Sequence, residues 1–378
     1  PHSAFEGKQT LRKVVFPPVV EKIYRGTFEE CSNLVEVDFS LAENLKQIEY
    51  RSFSNCSNLK SIDLSKCAKL KYISGFSDCR NLSKVDLSGC DNLEEIGSSS
   101  FYMCVNLNEV VLNGCVSLKR IASQAFQYNR KLSYMDFFSF PLLEEIGEQA
   151  FYDANISGEV VLGENITKIG ERAFAVNRNI TSVDFSNCSK LVVIDKGIFN
   201  GCNVKSVDFT SCLLLNTITP NAFGESLEEY VIDNGFYKSI DGVLFNAETN
   251  TLLNYPSGKK DESYEVPSSV VSINDNAFEG NSNLKELVIP SSVKSIGCQD
   301  LGFLKLYMQS PTPIALSGEI SNEGERMPVY VPKGSGEAYR NAPIWKNYVI
   351  IEEDADPISI TLSAAGTLQS ELEKMNIK

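Results

Sequence analysis

Apolar and polar residues recur along this chain with a fixed period. Taking phenylalanine as the origin, Phe5, Phe28, Phe53, Phe76, Phe101, Phe126, Phe151, Phe174, Phe199 and Phe223 follow one another at steps of 23 to 25 residues. A gap of 55 then leads to Phe278, and Leu301 stands 23 residues further on. Within a unit the order is F-x2-C-x-N-L-x2-V/I-D-L/F-S-x-C-x2-L-x2-I, as in FSNCSNLKSIDLSKCAKLKYI from Phe53 to Ile73. The run Ser61–Ser65 alternates, with Ile62 and Leu64 on one side and Ser61, Asp63 and Ser65 on the other, which predicts a short half-buried strand. Leu59, Leu70, Ile73 and Phe76 are too far apart for one strand and fit a chain that turns corners, sending one apolar residue inward at each. A single unit cannot bury these residues alone, but stacked units can. At about 1.5–3 kcal/mol per buried side chain, most of the stability then lies between neighbouring coils.

Leu59, Ile62, Leu64, Cys67 and, one place late, Leu70 follow the leucine-rich repeat pattern. The expected fold is a leucine-rich-repeat solenoid of roughly eleven coils. It has a single curved parallel sheet, one short strand per 23–25-residue repeat, a β-hairpin insertion and a C-terminal cap. The whole unit, opened by AF or SF and closed by L-x2-I, resembles the BspA-like leucine-rich repeat proteins, known chiefly from bacterial cell surfaces. The resemblance spans about residues 1–353. It implies an extracellular or cell-surface setting, with a signal peptide removed upstream of Pro1, where the chain opens inside a repeat.

The expected division is a repeat array over 1–230, an insertion over 231–265, final repeats over 266–306, a cap over 307–353, and a linker with the start of a further domain over 354–378. In the insertion, GFYKSIDGVLFNAETNTLLNYPSGK carries turn signals at Asp241–Gly242 and Asn246–Asn250, predicting a hairpin that protrudes from the stack. A similar insert is found in BspA-like relatives. Ser335 is placed to cap a short helix ending before Pro343, and Trp345, the only tryptophan, to plug the end of the core.

Cys31, Cys56, Cys79, Cys104 and Cys202 lie three residues after the phenylalanine; Cys67, Cys90, Cys115 and Cys188 lie fourteen after it, and Cys212 one place earlier. Cys298 stands apart. Repeated phase means a repeated structural position, so small buried free thiols near backbone carbonyls are expected rather than disulfides. Zinc is disfavoured, because no C-x2-C occurs and His2 is the one histidine.

Composition narrows the function classes. The net charge of −14 argues against nucleic acid, whose phosphates need clustered lysine and arginine. No run of about 18 apolar residues occurs, so an integral membrane protein spanning by helices is not expected. No nucleotide, metal or nucleophile motif is found, and no catalytic residue or cofactor is assigned. The carboxylate pairs Glu94–Glu95 and Glu144–Glu145 share one repeat phase, which reads as scaffold. The informative positions lie on the outward side of the predicted strands. Asp38, Asp63, Asp86, Asp136, Asp184 and Asp208 hold one position, and Tyr134 and Phe138 set aromatics around Asp136. A solvated face free of apolar patches accounts for the acidic residues. The functional account is a concave recognition surface made of these eight residues. The expected role is therefore a non-catalytic, adhesin-like protein binding a host or other extracellular macromolecule, with protein favoured over glycan. Carbohydrate capture and a structural spacer are the alternatives.

Overall fold

The computed structural model describes residues 2–219, 221–297, 305–318 and 327–353. Leu301, Cys298 and the proposed linker and further domain over 354–378 lie outside them.

The chain winds as a stack of coils, as the period predicts, and runs to about 14 turns rather than eleven. The extra turns come from the insertion and the cap, whose strands continue the stack. In the coil that begins at Phe53, strand Ser61–Asp63 buries Ile62 and exposes its two flanking residues. The corner residues Leu59, Leu64, Cys67 and Leu70 are all buried. A second strand, Tyr72–Ile73, then sends Ile73 inward. Each regular coil thus carries two short strands where the sequence pattern suggested one. A two-residue strand shows no alternation, so it leaves no periodic trace of its own.

First-row strands pair parallel and in register, Ser61 with Lys84, Ile62 with Val85 and Asp63 with Asp86. The second strands form one continuous nine-stranded ladder from Lys22–Ile23 to Thr217–Ile218. A third ladder joins the turns: the N–H groups of Phe28, Phe53, Phe101 and Phe126 donate to the carbonyls of Ser52, Gly75, Ala125 and Ala150 in the following coils.

Inside, the phenylalanines form the predicted column. From Phe5 to Phe223 each ring stacks on the next, for example Phe101 on Phe126 at 5.3 Å and Phe126 on Phe151 at 5.2 Å. The ten described cysteines are free and buried. Their phases have a common chemistry. The Sγ–H of Cys56, Cys79 and Cys104 donates to the carbonyls of Phe28, Phe53 and Phe76 in the preceding coil, at 3.3, 3.1 and 3.0 Å. Where the column lacks cysteine, an amide takes the role: Asn129 and Asn177 donate Nδ2–H to Phe101 O and Phe151 O at 2.9 and 2.7 Å. Burial pushes the thiols of Cys67, Cys115, Cys188, Cys202 and Cys212 up to about 12 and raises those of Cys56, Cys79 and Cys90 as well. The thiolate is the reactive species. At pH 8 a thiol reagent is therefore expected to titrate about one thiol rapidly in the native protein and all 11 in denaturant. Rapid reaction of six or so in the native state would contradict the buried columns.

The insertion forms a meander of antiparallel strands Tyr237–Ile240, Val243–Asn246 and Thr251–Asn254, turned at Asp241–Gly242 as expected. It does not protrude. Its third strand pairs parallel with Ser272–Ile273, continuing the second row. Its middle strand is buried on both faces, because Val243, Leu244 and Phe245 are successive apolar residues. Leu244 packs into the core of the preceding coils, while Val243 and Phe245 pack into a separate core that runs on to Trp345. Of the insertion's aromatics, Tyr237, Phe245 and Tyr255 are buried and Phe236 is exposed.

At the far end, Trp345 is buried and donates Nε1–H to Ile314 O at 2.8 Å, closing the second core as expected. The helix Gly336–Asn341 forms where predicted, but the side-chain cap expected of Ser335 is absent: its hydroxyl makes no cap bond. The Glu352 carboxylate accepts instead from the N–H groups of Gly334 and Gly336.

Candidate functional site

The strand alternation that buries Ile62 and Val85 turns Asp63 and Asp86 outward beside each other. Asp38, Asp136, Asp184 and Asp208 hold the same position in other coils. Each carboxylate has a structural task within its own coil. The Oδ1 atoms of Asp38, Asp63, Asp86, Asp184 and Asp208 accept from the N–H two residues on, at Ser40, Ser65, Ser88, Ser186 and Thr210, over 2.8–3.0 Å. This is the Asx turn that ends the strand and swings the chain toward the corner. The hydroxyl and N–H of Ser40 hold the Asp38 carboxyl below its usual range. Burial opposes the same effect at Asp86, yet Ser88 still holds it low. At these five the second carboxylate oxygen is what remains for a partner.

The acidic column is not continuous. Register places Val15 beside Asp38, Val111 beside Asp86, Val161 beside Asp184 and Val231 beside Asp208. Ion pairs flank it, Lys13 with Glu36 and Lys84 with Glu109, each at 2.6 Å.

The coil holding Tyr134, Asp136 and Phe138 differs from the others. It keeps its second-row strand, Glu145–Ile146, but has no first-row strand, so the first row skips a coil between Glu109–Val111 and Ser157–Val161. Asp136 Oδ1 accepts from both Phe138 N and Ser139 N, and Oδ2 from the Ser139 hydroxyl. Tyr134 and Phe138 are 64% and 56% exposed. They stand on either side of Asp136, on one outward face, while Met135 and Phe137 between them are buried.

Two features of this face lie beyond what the repeat pattern predicted. Val15, Val161 and Val231 join Val111 as apolar members of the column. Near the cap, Tyr307 and Tyr330 occupy the aspartate position in register and stack at 4.7 Å. Alternation in KLYM and PVYV, with tyrosine in the aspartate phase, was the available signal.

The paired carboxylates belong to the second row's outward side. Glu94 pairs with Lys71 and Lys119, and Arg120 bridges Glu95 and Glu145. Among the described residues no group of His, Cys, Asp and Glu could hold a metal ion, and no helix is long and apolar enough to cross a membrane.

A family model described as BspA type leucine rich repeat region matches in 6 copies, over residues 1–133, 144–261 and 254–301. None of the curated proteins matches the chain. Among solved structures, a leucine rich cell surface protein from Faecalibacterium prausnitzii superposes with a TM-score of 0.51 at 18% identity, covering 92% of this chain and 88% of that one. A leucine-rich repeat protein from Bacteroides ovatus gives 0.45 at 20% identity, covering 94% and 87%. At such identities the likeness concerns the fold.

Proposed function

This chain belongs to the BspA-type leucine-rich repeat family, and from that premise we propose that it is a non-catalytic, adhesin-like protein displayed at a cell surface or secreted, which binds an extracellular protein on the outward face of its first-row strands. The surface setting extends to this chain what is said of the Faecalibacterium protein. Contact centres on Tyr134, Asp136 and Phe138, with Asp38, Asp63, Asp86, Asp184 and Asp208 as a polar flank. The observation that carries this reading is the pair of exposed aromatics at the one coil of the regular array that has no first-row strand. Large aromatics ringed by polar groups supply most of the energy at protein contacts. An acidic flank raises the rate of encounter with a basic partner and makes capture sensitive to salt.

The test is capture from a host extracellular extract, with the retained proteins identified by mass spectrometry and then titrated singly. Tyr134→Ala with Phe138→Ala is expected to weaken a retained partner by about tenfold or more. Replacing Asp63, Asp86 and Asp184 by asparagine keeps the Oδ1 acceptor of each turn, so the fold should hold while the salt dependence of binding falls. Lysine at these sites would break the turns as well and confuse the two effects. Unchanged affinity in both sets would place the contact elsewhere, and selective retention on a glycan array with no protein captured would favour carbohydrate.

A further inference from the structure

The third ladder runs in one direction. Phe101 N–H and Met103 N–H point to carbonyls of the following coil, at Ala125 and Gln127; Phe126 and Tyr128 do the same to Ala150 and Tyr152, and Phe174 and Val176 to Ile198 and Asn200. The last bond of this series goes from Phe199 to Ala222. The coil at Phe223 meets a different neighbour. Tyr255 takes the phenylalanine place of the next coil, its N–H bonding Ala277 O, but the chain then turns away, with Gly258 N–H on Leu227 O. Among the described residues, none of the five N–H groups from Asn221 to Glu225 finds a hydrogen-bond partner, and those of Asn221, Phe223 and Glu225 hold the ladder places. A cleft of about 350 Å³ opens beside them, lined by Arg172, Lys196, Glu225, Asn276 and Glu279. Asn221 crosses it as a strap, donating Nδ2–H to Glu279 Oε2 at 2.6 Å.

We infer that this cleft binds a short extended peptide, which adds to the third ladder in the place of the turn that the insertion removes. The spacing is the first argument. In the regular coils the donors of this ladder stand two residues apart, as at Phe101 and Met103; Phe223 and Glu225 hold the same places, and an extended chain offers carbonyls at that interval. The field is the second. Peptide dipoles aligned along the ladder leave a partial positive charge at the end where N–H groups emerge, as at a helix N-terminus. Carbonyl oxygens complement such an end, and cations do not. The third argument is the lining. Arg172 and Lys196 are balanced by Glu225 and Glu279, so a polyanion gains nothing over a neutral chain. No aromatic wall is present among the described lining residues, which selects small polar side chains.

The probe is an array of N-acetylated, C-amidated hexapeptides built from Ser, Thr, Asn and Gly, followed by fluorescence anisotropy on the full chain with the retained sequences. Binding is expected, with slowed hydrogen exchange of the amides from 221 to 225. Asn200→Trp projects an indole into the cleft from an exposed position, and should weaken binding by about tenfold or more. Glu225→Pro removes one donor and should weaken it too. Tyr134→Ala with Phe138→Ala should leave it unchanged, which separates this site from the outward face. No retained peptide, or retention with exchange at 221–225 unaltered, overturns the inference. So does equal binding by Asn200→Trp.

Discussion

Replacing Phe126 by alanine is expected to destabilise the protein by about 3–5 kcal/mol, read as a shift of the denaturation midpoint. Phe126 is fully buried and its ring stacks on Phe101 below and Phe151 above. Removing it leaves a void that neither neighbour can fill, since each ring is held in its own coil by the three ladders. Stability in a stacked array resides in nearest-neighbour interfaces, and this change damages two of them. Phe5 supplies the control. It is 47% exposed and, among the described residues, stacks on Phe28 alone, so Phe5→Ala should cost about 1 kcal/mol. Equal costs at the two positions would mean that the column does not bear the stability assigned to it.

The second large effect concerns the division of the core. All ten described cysteines pack in the core that precedes the insertion, and Trp345 packs in the one that follows it. The two meet at the middle strand of the meander, which sends Leu244 one way and Val243 and Phe245 the other. At the same place the third ladder is interrupted, so coupling across the seam is weaker than between regular coils. Guanidinium unfolding should then appear as two transitions. Tryptophan fluorescence should change first, because the second core is smaller and lacks the long stack of rings. Thiol exposure should follow at a concentration higher by about 0.5 M or more. Coincident curves from the two probes would show a single cooperative unit.

Much of the solenoid was legible because the period is strict. Phe28, Cys56, Leu59 and Ile62 each announce a structural column by recurring in phase. What escaped has physical reasons. Tyr72–Ile73 and its equivalents are too short to alternate. The run Val243–Leu244–Phe245 is compatible with a protruding hairpin or with a wall between two cores, and only the neighbouring coils decide. Ser335 has the right chemistry for a helix cap, yet Glu352, brought close by the final strand, offers a charged acceptor that wins. Of the candidate site, the outward position of the aspartates and the exposure of Tyr134 and Phe138 could be read directly. The turn-forming duty of Asp63 or Asp184 was written in the serine two residues on, but a row of like charges pointed toward recognition. Tyr307 and Tyr330 were missed because the repeat fades before they occur.

The aspartate bond that ends the first-row strands at Asp38, Asp63, Asp86, Asp184 and Asp208 spans only two residues, and so never leaves its coil. A unit brings its own corner with it, and the residues beside that corner can change without consulting the units above or below. Unequal crossing-over in the gene could therefore add, delete or shuffle whole units while the scaffold survives, and the outward face could diversify one unit at a time.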